Sequence, residues 1–226
     1  MKIDILMPTY NRFNLVQRAI RSVLQQTSPD WELWVYDDGS DYDFNKIREK
    51  FQDERIHFFV GERLTDEQRA ASCRYSVINN FLLNRSSNEL ISYLCDDDYY
   101  WPEAIEGALS FFKRNPTVYV AYGKLTYSFE GREEEPREKR DLRFPGTVLK
   151  NPFNKVDHNQ VVHRRECLKV SRWIEDPATW NGSDAYFFLR LASVYPFYPM
   201  DVWFANKYLH RYCNQNLKGT WIKVRE

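Results

Sequence analysis

Leu33-Trp34-Val35-Tyr36-Asp37-Asp38-Gly39-Ser40 is a short apolar run that stops on two acids, a glycine and a serine. A run of this length closed by turn residues reads as a buried strand. The same pattern recurs on either side. Ile3–Pro8 stops at Pro8-Thr9-Tyr10-Asn11-Arg12, Ile56–Val60 follows downstream, and Glu89–Cys95 ends in Asp96-Asp97-Asp98. Helical periods lie between these runs. Asn14–Gln26 sets Leu15, Ala19, Ile20, Val23 and Leu24 on one face; Phe44, Ile47 and Phe51 mark a second helix, Gln68–Leu83 a third, and Pro102 stands where a fourth begins. Strand and helix in alternation predict an α/β fold with a parallel sheet and right-handed crossovers.

The rhythm changes after Asn115-Pro116. Val118–Tyr127 reads as a long strand rich in β-branched and aromatic residues. Glu130–Arg143, with alternating charges and Pro136, reads as a solvated loop or hairpin tip. From Phe153 the pattern is mixed and aromatic, with Val156–His163, a short helix near Cys167–Val170 and a helix from Asp184 to about Ala192. With no internal repeat and no low-complexity linker, the expectation is one domain over residues 1–226. Residues 1–115 would form its nucleotide-type half and 116–226 its acceptor-type half.

Composition narrows the function classes. The chain has 226 residues, 43% of them hydrophobic and 28% charged, which excludes collagen, disordered tails and disulfide-stapled miniproteins. Its 32 basic residues cancel 32 acidic ones, so no overall field draws nucleic acid or anionic lipid. Cys73, Cys95, Cys167 and Cys213 form no C-x-x-C pair and read as small buried residues in a reducing compartment. Met1-Lys2-Ile3-Asp4 does not open a signal peptide, and no 18 consecutive apolar residues occur, so a cytoplasmic protein without a membrane span is expected.

In an open parallel sheet ligands bind at the carboxyl ends of the strands. Here those ends are Pro8–Arg12, Asp37–Ser40, the Gly61–Arg74 connection and Asp96–Asp98. Adjacent carboxylates suit a hard divalent cation held together with phosphate oxygens; alternatively, Asp98 or a neighbour caps the helix near Pro102. With only 8 glycines, the chain has no G-x-G-x-x-G after its first strand and no G-x-x-x-x-G-K-[ST]. A bound nucleotide's phosphates would therefore be neutralised by metal and arginine, with Arg69 and Arg74 nearest. Aromatic residues reach 16%, and Trp101 and Trp180 are candidates for an acceptor cleft, though rings more often fill cores.

Taken together, Pro8-Thr9-Tyr10-Asn11-Arg12, the helix ending Ser22-Val23-Leu24-Gln25-Gln26-Thr27, Val35-Tyr36-Asp37-Asp38-Gly39-Ser40 and Asp96-Asp97-Asp98 closely resemble family 2 glycosyltransferases of the GT-A fold. In the second half, Val156-Asp157-His158, His163-Arg164, Ser183-Asp184-Ala185-Tyr186-Phe187-Phe188 and Tyr195-Pro196-Phe197-Tyr198-Pro199 are similar to the spore-coat polysaccharide glycosyltransferases of spore-forming bacilli. The resemblance spans about Ile3 to Asn214. It implies a Rossmann-like mixed, largely parallel sheet flanked by helices. It also implies inverting transfer from a UDP- or dTDP-sugar to a glycan or other hydroxyl acceptor, with Mn²⁺ or Mg²⁺. Within that resemblance Pro8, Thr9 and Tyr10 border the nucleotide, with Tyr10 stacked near the base, and Asp38 accepts from the pyrimidine edge. Arg69 and Arg74 flank base and diphosphate, Asp96 contacts ribose, and Asp97 or Asp98 holds the metal. Asp184 is the general base, and His158 is a candidate donor or acceptor contact. Read from its own residues, Asp184 is equally suited to be a helix N-cap.

The chain departs from its relatives at Tyr75, where they generally have Asn, and it lacks the Q-x-x-R-W-type motif of processive synthases, which implies single-sugar transfer. A sugar-phosphate nucleotidyltransferase would carry glycine and lysine after the first strand, and Met7–Phe13 has neither. The reading from another class is a catalytically silent GT-A domain that binds nucleotide or glycan as a scaffold.

Overall fold

A computed structural model describes residues 1–210. Its first part alternates β1 (Ile3–Thr9), α1 (Phe13–Leu24), β2 (Trp31–Asp37), α2 (Asn45–Lys50), β3 (Ile56–Val60), α3 (Asp66–Ala70), α4 (Arg74–Leu83) and β4 (Leu90–Tyr93). There follow β5 (Tyr99–Tyr100), α5 (Ala104–Arg114), β6 (Val120–Phe129), β7 (Leu142–Arg143), β8 (Val161–Arg164), α6 (Ser183–Ala192) and β9 (Phe197–Leu209). One mixed sheet runs β3-β2-β1-β4-β8-β6-β9-β5, with β7 paired to β6. β3, β2, β1 and β4 are mutually parallel and β6 is parallel to β9, whereas β8 and β5 join antiparallel.

Side-chain alternation along the strands divides the interior into two layers. Ile3, Ile5 and Met7 of β1 pack with Val16, Ala19, Ile20 and Val23 of α1 and with Ala104, Ile105, Ala108 and Phe112 of α5. Leu6 of the same strand points the other way, into a layer with Ile78 and Leu82 of α4 and Phe187, Phe188 and Leu191 of α6. Much of the aromatic content sits here: Trp173 stacks on Phe187 with ring centroids 4.8 Å apart, and Tyr93 meets Trp173 edge-on at 5.0 Å. Among the described residues no helix is long and apolar enough to cross a membrane. Cys73, Cys95 and Cys167 are free thiols; Cys213 lies outside the described residues.

The expected third helix, Gln68–Leu83, is in fact two. A capping box between Thr65 and Gln68 starts α3 at Asp66, three residues from which Arg69 projects. The backbone N–H of Cys73 then goes to the Glu175 carbonyl at 2.8 Å instead of continuing the helix, and α4 begins at Arg74. The fourth strand stops at Tyr93, so Cys95–Asp98 form a loop, and the turn near Cys167 is 3-10 rather than α-helical. Glu130–Arg143 does form a hairpin, its return strand β7 pairing with β6. β9 was not legible as a strand. It packs parallel to β6 so closely that a Cβ on Gly123 would lie 2.5 Å from the Phe204 Cβ.

Candidate active site

The carboxyl ends of β1, β2 and β4 open onto a cleft of about 500 Å³, walled on the far side by α6 and β9. Pro8, Thr9, Tyr10, Asp38, Arg69, Arg74, Asp96, Asp97, Asp98, His158 and Asp184 all line it, and so does Trp180. Trp101 does not. Its indole N–H donates to the Thr126 hydroxyl at 3.1 Å, and Arg137 and Arg140 lie against its ring. Trp101 therefore packs in a cation–aromatic cluster outside the cleft lining, so of the two tryptophans only Trp180 takes the cleft position.

At one end the break between α3 and α4 lets two arginines converge on one acid. Asp38, at the end of β2, is buried; Arg74 donates to its carboxylate through Nε at 3.2 Å and Nη2 at 2.5 Å. Arg69 reaches Oδ2, the oxygen that also accepts from Arg74 Nε, at 2.8 Å and the Asp38 carbonyl at 3.0 Å. The Arg69 guanidinium also lies 3.5 Å from the centroid of the Tyr10 ring, covering one of its faces. Three of roughly four carboxylate lone-pair positions on Asp38 are thus filled by protein donors, leaving one on Oδ1.

Asp96, Asp97 and Asp98 occupy the centre. Thr9 donates its hydroxyl to Asp96 at 2.8 Å; burial and the adjacent Asp97 push this carboxyl up to about 7. Asp97 is held below the usual carboxylate range, despite its burial, by a hydrogen bond from His210 (3.2 Å) and by the charge of Arg12 (2.5 Å). Asp98 accepts from the Asn159 amide at 2.7 Å and the Tyr208 backbone N–H at 2.8 Å, while burial and Asp97 drive it well above its ordinary value. It caps no helix, since the residue preceding α5 is Glu103. The Cys95 sulfur and one oxygen each of Asp97 and Asp98 lie within 4.8 Å of one another. Two carboxyls forced toward protonation beside an ionised third form an arrangement that a divalent cation relieves, and the oxygens of Asp98 keep one lone pair each for it. The acidic loop therefore fits a metal such as Mn²⁺ or Mg²⁺.

On the far wall, the buried Asp157 carboxylate accepts from Lys207 Nζ at 2.6 Å. Although burial alone would raise it, Lys207 and His158 hold Asp157 far below the carboxylate range. His158 Nε2 contacts the Cys95 sulfur at 3.0 Å, and its Nδ1 faces Asp184 at 3.5 Å. Burial alone would lower this imidazole; the Cys95 sulfur, Asp157 and Asp184 raise it well above its ordinary value. Asp184 is not the N-cap of α6, a position taken by Gly182 at φ 133°. It sits in the first turn, its side chain 32% exposed, against 6% for Asp157. Arg12, Asn159, Lys207 and His210 join the site without having been assigned to it. Arg12 belongs to the Pro8–Arg12 strand end, but Lys207 and His210 arrive on or just after β9, which no local pattern revealed.

A parallel sheet with its acids and arginines gathered at the strand ends defines a nucleotide-binding α/β protein. The family model for glycosyl transferase family 2 matches residues 4–167, and the chain belongs to that family. It is 31% identical over 208 residues to protein CgeD of Bacillus subtilis strain 168, covering 88% of this chain and 48% of the relative. Its identity is 26% over 204 residues to the GalNAc(5)-diNAcBac-PP-undecaprenol beta-1,3-glucosyltransferase of Campylobacter jejuni, covering 87% and 62%. The crystal structure of S. aureus TarS 1-349 in complex with UDP-GlcNAc superposes with a TM-score of 0.73 at 18% identity, over 98% of this chain and 62% of that one. That likeness shows the GT-A fold expected of the sequence. The chain spans about half to three fifths of the length of these two curated relatives.

Proposed function

We propose that this chain is an inverting glycosyltransferase that moves one sugar from a UDP- or dTDP-sugar to a hydroxyl of a glycan or other acceptor, in the cytoplasm, for spore-coat or cell-envelope polysaccharide. The observation that carries the reading is the meeting of donor-side and acceptor-side groups in one cleft. Asp38, Arg69, Arg74 and Asp96–Asp98 line one side and Asp184 the other. The resemblance of the second half to spore-coat polysaccharide glycosyltransferases supports the spore connection, and the UDP-GlcNAc complex of TarS supports a uridine nucleotide.

Inversion is an in-line displacement at the anomeric carbon, with oxocarbenium character and loss of the acceptor's proton. Asp184 is the acid suited to take that proton, being half-open to the cleft and bonded to its own helix only through the Ala185 N–H at 2.8 Å. Asp157, the other carboxylate on this wall, is locked to Lys207 and buried. Asp97 and Asp98 would hold Mn²⁺ or Mg²⁺, which when bound neutralises charge developing on the departing diphosphate. Arg69 and Arg74 orient the nucleotide, Pro8, Thr9 and Tyr10 border it, and Asp96 meets the ribose.

The test is nucleotide release from a panel of UDP- and dTDP-sugars with Mn²⁺ across glycan acceptors, for the wild type and Asp184→Asn. The reading expects release by the wild type only, with nucleotide affinity kept in the variant. Binding without release by either protein would instead assign a silent scaffold, and release by Asp184→Asn would remove Asp184 from the base role.

A further inference from the structure

We infer that His158 is a positioning residue for Asp184: its imidazole holds one oxygen of that carboxylate toward the cleft. This rests on Asp184 being the base. The Asp184 carboxylate is restrained at one oxygen, Oδ1, by the Ala185 N–H at 2.8 Å. Its other oxygen, Oδ2, faces His158 Nδ1 at 3.5 Å. An acid on the first turn of a helix, one third exposed, otherwise swings about its side-chain torsions toward water, and a base displaced by 1 Å forfeits much of its effect.

The imidazole is itself fixed on every side. Its Nε2 contacts the Cys95 sulfur at 3.0 Å, at the root of the acidic loop. The Tyr75 ring packs beside it with centroids 5.3 Å apart and is braced in turn edge-on against Trp173 at 5.2 Å. The turn that carries it is tied by Asp157, which accepts from the Asn159 N–H at 3.1 Å and from Lys207. Only Nδ1 is left to address carboxylates, Asp184 and Asp157 (3.6 Å). A purely structural histidine looks different here. His163 spends both nitrogens on neutral partners, the Tyr93 hydroxyl and the Arg164 carbonyl, each at 2.9 Å. Tyr75, the departure from the family's usual Asn, thus acquires a role as the wall that keeps His158 in place.

The two ring nitrogens can be separated by substitution. The amide nitrogen of Asn reaches the place of Nδ1, and that of Gln the place of Nε2. His158→Asn, His158→Gln and His158→Ala are compared by steady-state UDP release from UDP-glucose and UDP-GlcNAc with Mn²⁺, by UDP affinity, and by crystal structures that read the Asp184 carboxylate without turnover. The inference expects His158→Asn to keep kcat within about threefold and hold Asp184 in its single orientation. His158→Gln and His158→Ala should lower kcat by about 10–100-fold at unchanged KM and UDP affinity, with Asp184 in more than one orientation. Equal behaviour of the Asn and Gln variants, or a raised KM at unchanged kcat, or an unmoved Asp184 in the Ala variant, overturns it. Asp184→Asn run in parallel separates the two claims. If that variant is active, the base assignment fails and takes this inference with it. If it is inactive while His158→Gln matches wild type, only the positioning role falls.

Discussion

Arg74→Met tests the two-arginine clamp on Asp38. The guanidinium, 16% exposed, gives two hydrogen bonds to a carboxylate that is 2% exposed. Hydrogen bonds to charged groups are worth about 1.5–3 kcal/mol each, and breaking a buried ion pair costs about 3–5 kcal/mol. Arg69 remains on the carboxylate at 2.8 Å and keeps part of the compensation, which sets the expected loss near 3 kcal/mol. In a chain of this size that lowers the melting temperature by about 6–12 °C. Much of this is the penalty of leaving Asp38 charged and under-paired, so adding Asp38→Asn should restore part of it. Thermal and urea unfolding of wild type, both single variants and the double variant give the coupling energy, expected at about 1–3 kcal/mol. Strict additivity, or a single-variant loss below about 0.5 kcal/mol, would show that the pair is a surface contact and refute the reasoning.

Burial and Asp97 raise Asp96 to about 7, so the folded chain retains a proton that the unfolded chain releases near pH 4. Its contribution is complete below about pH 4 and is lost as the pH rises toward 7, and Asp98, shifted the same way, adds to the trend. Between pH 5 and pH 8 in EDTA, urea unfolding should therefore show wild type losing about 2–3 kcal/mol more stability than Asp96→Asn, a difference narrowed by Mn²⁺; equal changes in the two proteins contradict this. Asp97→Asn should weaken Mn²⁺-dependent UDP binding by at least about tenfold in calorimetry while leaving metal-free binding unchanged. Gly123→Ala, which drives a Cβ to 2.5 Å from Phe204, should cost about 1–3 kcal/mol in thermal unfolding.

The parallel half of the fold was readable because its strands are short apolar runs closed by turn residues, and its helices show a clean 3.6 period. Ile3–Thr9 and Phe13–Leu24 are the plainest cases. The strand β9 was hidden for a physical reason. It pairs on both sides, and its sequence Phe-Tyr-Pro-Met-Asp-Val-Trp-Phe-Ala-Asn-Lys-Tyr-Leu neither alternates nor stays apolar, since its polar residues serve the site and inner contacts. With β9 went Lys207 and the approach of His210, whose value depends on acids more than a hundred residues earlier for His210 and fifty for Lys207. The division of α3 from α4 was equally invisible, because it depends on the Glu175 carbonyl, about a hundred residues away, capturing the Cys73 N–H. The acids and arginines of the strand ends were legible, as types at stated positions; their mutual pairing was not.

The most direct test of inversion is proton NMR of the sugar freshly released from UDP-GlcNAc, α-linked to its diphosphate, in the presence of Mn²⁺. Displacement by water deprotonated at Asp184 in place of the acceptor hydroxyl predicts that the β anomer of free GlcNAc appears first and that Asp184→Asn releases none. Initial appearance of the α anomer, from a wild type that needs Asp184, would contradict it.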